Sequence, residues 1–176
     1  MKKFFKLFFI GLGVLFIVFL SFGFFKPVIA YRNSIVVDVS PEEAFQVFLD
    51  SSNMKLWITG LSRIDFVEGQ MNSVGSKWKL ILDQEGAHYE MLETMTAFEP
   101  NRRFAFLLVN EVLTTDVDIR FTPSQQGTII TADNIVKGKN LQWHSLFVVL
   151  SSSLKNQSQG MYDNLKLVID KTRVPA

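Results

Sequence analysis

From Ser76 to Val136 the chain alternates apolar and polar residues in short runs separated by turn residues. Trp78, Leu80 and Leu82 alternate with Lys77, Lys79 and Asp83. Leu113, Thr115, Val117, Ile119 and Phe121 alternate with Thr114, Asp116, Asp118, Arg120 and Thr122. Alternate side chains leave a strand on opposite faces, so each run offers one face to a core and one to water. The pattern predicts antiparallel strands over 77–83, 87–98, 103–109, 113–122 and 128–136. Turns are expected at Gln84-Glu85-Gly86, at Glu99-Pro100-Asn101 and from Pro123 to Gly127. A shorter strand is expected over 64–68, and another over 34–39, where Ile35, Val37 and Val39 share a face.

The helical signals lie outside this block. Ser40-Pro41-Glu42-Glu43 combines a serine cap, a proline at the first helical position and a glutamate three residues after the cap. It predicts a helix to about Leu49, with Ala44, Phe45, Phe48 and Leu49 as the apolar stripe, broken over 50–53. A second short helix over 54–58 carries Trp57 and stops before Gly60. From Leu141 to Lys171 the steps of Leu146, Leu150, Leu154, Met161, Leu165 and Val168 predict one long helix. Its stripe has a gap at Gln157 and Ser158, and Gly160 offers a place to bend.

Leu7 to Phe25 carries no charge and is rich in Phe, Leu, Ile and Val. A helix of that length crosses a hydrocarbon core of about 30 Å. It reads as a membrane-spanning signal anchor. The alternative is a cleaved signal peptide ending near Val28-Ile29-Ala30, although the run is longer than the usual apolar region of such peptides. A buried core helix is disfavoured because the run is apolar on every side. Lys2, Lys3 and Lys6 place the N-terminus in the cytoplasm and the domain on the extracytoplasmic side, periplasmic in a bacterium. The expected organisation is a basic flank over 1–6, an anchor over 7–26, a linker over 27–33, a domain over 34–171 and a tail over 172–176.

Composition adds exclusions. Hydrophobic residues make up 48% of the chain, with the excess concentrated in the anchor. There is no cysteine, which excludes disulfides, thiol catalysis and cysteine-based zinc sites. The net charge is +1, but setting aside Lys2, Lys3, Lys6 and Lys26 leaves −3 for residues 31–176. No basic run occurs there, so no nucleic-acid partner is expected.

The order strand, two short helices, six strands, long helix resembles the START/Bet v 1-like superfamily, and within it the polyketide cyclase/dehydrase and lipid-transport group. The carriers are Val39-Ser40-Pro41-Glu42-Glu43-Ala44-Phe45, Trp57, Val74-Gly75-Ser76-Lys77-Trp78, Glu99-Pro100-Asn101-Arg102-Arg103-Phe104, and Gly127-Thr128 leading into Ile129-Ile130-Thr131. The resemblance covers about residues 34–171. It implies an α+β helix-grip fold, a curved antiparallel sheet around the C-terminal helix with a hydrophobic cavity between them. It also implies an apolar ligand and brings no shared catalytic motif; no cofactor is expected.

Trp78, Leu80, Leu82, Met91, Met95, Phe104, Phe106, Val117, Ile119, Phe121 and Leu150 are candidate cavity-wall residues; ordinary core packing is the competing reading of each. Glu93 shares a strand face with Tyr89, Met91, Met95 and Ala97, so it points inward unless a bulge turns it to solvent. A buried carboxylate resists ionisation, which suits an acid/base group or a ligand contact; a structural ion pair is the alternative. It is the one weak candidate for a catalytic residue. His88 is expected at the surface, and His144 near a cavity mouth or in packing. No metal site is expected of these two histidines. Three functions remain: a membrane-anchored domain binding a lipid or other hydrophobic small molecule, a cyclase- or dehydratase-like enzyme on an apolar substrate, and a co-chaperone-like interaction domain with a filled core.

Overall fold

The computed structural model describes residues 2–84 and 86–172. Helix α1 (Lys2–Phe25) leads into strand β1 (Ile29–Val37), then helices α2 (Pro41–Leu49) and α3 (Ser51–Trp57). Six strands follow: β2 (Leu61–Glu68), β3 (Lys77–Gln84), β4 (Ala87–Glu99), β5 (Arg103–Val109), β6 (Leu113–Ser124) and β7 (Gly127–Gly138). Helices α4 (Leu141–Val149) and α5 (Ser151–Thr172) close the chain. The strands form one antiparallel sheet in the order β1-β7-β6-β5-β4-β3-β2, and α5 packs on β1, α2 and α3. This is the helix-grip arrangement. The expected turn at Gln84 to Gly86 includes Glu85, and the expected tail includes residues 173–176; these lie outside the described residues.

Local chemistry explains the short helices. Ser40 Oγ accepts the Glu43 N–H at 3.3 Å, and the Glu43 carboxylate accepts the Ser40 N–H at 2.9 Å, a reciprocal capping box ahead of Pro41. Asp50 ends α2 and also starts α3, its carboxylate accepting the Ser52 N–H at 2.9 Å. The second helix therefore begins at Ser51, inside the stretch expected to be irregular.

Three expectations change. Ile29 to Asn33, expected as linker, pairs with Val136 to Ala132 and belongs to β1. Only residues 26–28 separate α1 from the sheet. The C-terminal helix breaks at Leu150, where φ −88° and ψ 8° leave the helical basin, and Gly160 stays within α5. Ser151-Ser152-Ser153 follows the break; serine hydroxyls compete for backbone partners and start helices better than they continue them. In β4 the pairing slips between Met95 and Ala97, so Phe98, which strict alternation from Glu93 would turn outward, lies opposite Phe104 on the inner face.

The core gathers at one end of the grip. Phe45 and Phe48 from α2 meet Phe121 at ring-centroid distances of 5.1 and 5.5 Å, and Phe48 meets Phe104 and Trp57 at 5.3 and 5.5 Å. Leu165, Val168 and Ile169 of α5 cover this cluster. Gly127, at φ +108°, turns β6 into β7 where a side chain would run into the Val37 carbonyl, and Thr128 Oγ1 donates to Val39 O at 2.7 Å.

Helix α1 is exposed along nearly all its length and is long and apolar enough to cross a membrane. It touches the domain at its C-terminal end. Gly23 N–H donates to Ser145 Oγ of α4 at 3.1 Å, and a Cβ on Gly23 would lie 2.5 Å from that oxygen. Ser145 in turn donates to Leu141 O at 2.9 Å.

Candidate functional site

Between the inner face of the sheet and the first half of α5 lies a cavity of about 640 Å³. That is within the range of small-molecule sites. Its walls follow from the register. One row of paired residues across the inner face runs Val136, Thr115, Leu108, Glu93, Trp78. The neighbouring inner positions add Leu80 and Leu82 of β3, Met91 of β4, and Phe104 and Phe106 of β5. Val117 and Ile119 of β6 complete that wall. Leu154, Gln157, Ser158, Met161 and Tyr162 of α5 face it, and Phe48, Met54 and Trp57 close one end.

Nine of the twelve candidates border this space: Trp78, Leu80, Leu82, Met91, Glu93, Phe104, Phe106, Val117 and Ile119. Three do not. Met95 and Phe121 are 2% and 3% exposed in the packed aromatic end, where α2 fills the space above them. Leu150 sits at the helix break, is exposed, and falls out of the inward stripe, which starts at Leu154.

Glu93 faces the cavity because the bulge lies beyond it, after Met95, and leaves the alternation of the preceding residues intact. Directly paired side chains across a sheet stand about 5 Å apart, so its neighbours are Trp78 on β3 and Leu108 on β5. Trp78 is itself held edge-on by Phe66, ring centroids 4.8 Å apart. Burial pushes the Glu93 carboxyl up to about 7. The side chain keeps some accessible surface, and the cavity is what it opens on.

A second polar spot lies across the cavity and went unnoticed in the sequence. Asn33, 1% exposed, accepts from Asn134 Nδ2 at 3.2 Å and from Ser158 Oγ at 2.9 Å, and donates to Lys155 O and Gln159 Oε1. Burial raises the Tyr31 pKa, and Ser158 beside it acts against that rise. Tyr31, Asn134 and Ser158 border the cavity. The signals were the gap at Gln157 and Ser158 and two asparagines in phase with apolar residues: Asn33 with Ile35 and Val37, Asn134 with Ile130, Ala132 and Val136.

The histidines lie elsewhere. His88 is exposed and contacts Asp83. His144 does not border the cavity; its helix start packs on Gly138, and its Nε2 is buried without a partner. Among the described residues no three His, Asp or Glu side chains gather as a metal site would require.

Residues 29–166 match the family described as polyketide cyclase / dehydrase and lipid transport. The chain belongs to this family. Every cavity-bordering residue falls inside the family's matched span, which begins at Ile29, the first residue of β1. No curated protein matches the chain. Among solved structures it is similar to the protein SA2116 from Staphylococcus aureus, at 13% identity and a TM-score of 0.67, over 84% of this chain and 96% of that one. It is similar to Ara h 8.0201 at 15% identity and a TM-score of 0.66, over 82% and 99%. A third likeness is to StfQ, a di-domain ARO/CYC from the steffimycin biosynthetic pathway, at 13% identity and a TM-score of 0.67. The chain covers 82% of itself but spans about half, 51%, of StfQ. At these identities the likenesses show the fold.

Proposed function

We propose that the chain is a membrane-anchored binding domain that holds a lipid or other hydrophobic small molecule between its sheet and its C-terminal helix. The observation that carries this reading is the cavity of about 640 Å³, bordered mainly by apolar side chains. Such walls forgo dispersion contacts when empty and regain them around an apolar guest. Helix α1 supports the anchor, and Lys2, Lys3 and Lys6 support a cytoplasmic N-terminus with the domain on the far side.

The cavity also supports binding over the two alternatives. An interaction domain needs a filled core. A cyclase or dehydratase needs several polar groups within hydrogen-bond reach of one reacting centre. Glu93 is two strands from Thr115 and three from Asn134 in the sheet, about 10 and 15 Å at the usual strand spacing.

The test is to express the full chain in a bacterial host, extract it in mild detergent and examine it by native mass spectrometry. A co-purifying apolar species is expected. Ligand-free protein whose thermal midpoint ignores a panel of lipids and sterols would overturn the binding reading. A C-terminal reporter active only in the cytoplasm would overturn the orientation.

A further inference from the structure

The two polar spots of the cavity differ in kind. On the β1, β7 and α5 side the groups are neutral and satisfy one another. On the β3 and β4 side Glu93 stands by itself. No hydrogen bond or ion pair reaches it among the described residues. Among the described residues no Lys, Arg or His borders the cavity. The charged groups of the adjoining strands leave by the other face: Lys77 pairs with Glu68, Lys79 with Glu90, and Arg103 with Asp118 and Glu99. The other ionisable cavity residues, Tyr31 and Tyr162, have their pKa raised by burial and stay neutral at physiological pH.

A carboxyl with a structural duty is normally paired, hydrogen-bonded or solvated, because an unmatched buried charge is costly. Among the described residues Glu93 has no hydrogen-bond or ion-pair partner, and neither Trp78 nor Leu108 beside it bonds to it. We infer that Glu93 awaits a cationic head group, and that the cavity selects a protonatable apolar amine whose ammonium lies between the Glu93 carboxylate and the Trp78 ring. This rests on the binding reading above and adds the ligand's chemical class.

Three head groups on the same apolar tail make the choice plain. A carboxylate would set two acids side by side, and they would have to share a proton. An alcohol gains one ordinary hydrogen bond. An ammonium gains a charge-assisted bond to Glu93 in a low-dielectric site, together with the face of an indole already held in place by Phe66. The proton balance is simple. At pH 8 the ammonium enters against ionised Glu93. At pH 5 Glu93 must first release its proton to solvent, so amine affinity falls about tenfold per pH unit below its pKa.

Octylamine, octanol and octanoate are titrated calorimetrically into the full chain in phosphatidylcholine nanodiscs, with empty nanodiscs subtracted. At pH 8 octylamine is expected to bind at least tenfold more tightly than octanol, with octanoate weakest. Octylamine affinity is expected to fall by up to about fiftyfold between pH 7 and pH 5, as the ionised fraction of Glu93 drops, while octanol affinity stays level. Glu93→Gln, nearly isosteric, should bring octylamine to the level of octanol, and octanol that still binds this variant shows the cavity intact. Trp78→Leu should reduce the amine preference in part. Octanol binding without an amine preference, or a preference that survives Glu93→Gln, overturns this inference and leaves the binding reading standing. Failure of all three probes to bind the wild-type chain overturns both.

Discussion

The two ends of the grip are built from the same sheet and the same helix, yet one is filled and the other is open. At the filled end α2 drops Phe45 and Phe48 onto Phe98, Phe104 and Phe121, and the second half of α5 adds Leu165, Val168 and Ile169. At the open end the first half of α5 stands over the sheet with Leu154, Gln157, Ser158 and Met161, and about 640 Å³ remains unfilled. The strands alternate alike at both ends. What differs is the helix that covers them: two aromatic rings from α2 at one end, one helix with a polar gap at the other. A cavity in this fold is therefore decided by what the helices bring to the sheet.

The largest expected effect tests that contrast directly. Phe45→Ala should destabilise the protein by about 3–5 kcal/mol, whereas Leu108→Ala, already beside empty space, should cost about 1–2. Urea denaturation of both variants measures the gap, and equal losses would mean the two ends are packed alike. Next comes pH. Glu93 has a folded pKa of about 7 against an ordinary 4.5, so between those values the native state binds a proton that the unfolded chain has released. Its contribution is therefore best below pH 4.5, is lost as pH rises to 7, and is flat above. The loss is at most about 3 kcal/mol, less where water enters the cavity. Glu93→Gln should flatten this slope in denaturation curves from pH 4.5 to 8; an unchanged slope would place its source elsewhere.

Adding volume gives a smaller, opposite contrast. Ile130→Phe, at a position 1% exposed in the filled core, should cost about 1–3 kcal/mol. Leu113→Phe, on the cavity wall, should stay within about 0.5 kcal/mol while weakening any ligand. Thermal midpoints of the pair decide it. The smallest effect belongs to the outer face, which is common to both ends. Arg32→Ala removes a 2.6 Å pair with Asp133 in which both side chains are exposed, and the denaturation midpoint should not move measurably at any salt concentration.

Periodicity made the sheet readable, because a residue's face on a strand depends only on its own segment. It located Glu93 for the same reason, and the slip after Met95 comes too late to disturb that phase. It could not separate Phe121 from Ile119, two residues apart on one face, since filled and open ends differ by what lies above the sheet. Leu150 was misplaced because the apolar repeat runs through the helix break unaltered. Ile29 to Asn33 looked like linker because their strand exists only by pairing with β7, a hundred residues away. The asparagine network was missed because its members come from β1, β7 and α5, and no one segment displays it.

The clasp between Gly23 and Ser145 bears on how far the domain can travel. A flexible linker lets its cargo explore roughly 5–6 Å times the square root of its length. Here residues 26–28 are all that separates α1 from β1, and α4 is closed onto the helix end with no room for a side chain. With α1 in a bilayer, the cavity is mounted on a post and has no leash. On the reading proposed above, a carrier so mounted would not ferry its load across a gap; it would serve the one leaflet beside it, and an acceptor would come to the membrane to collect.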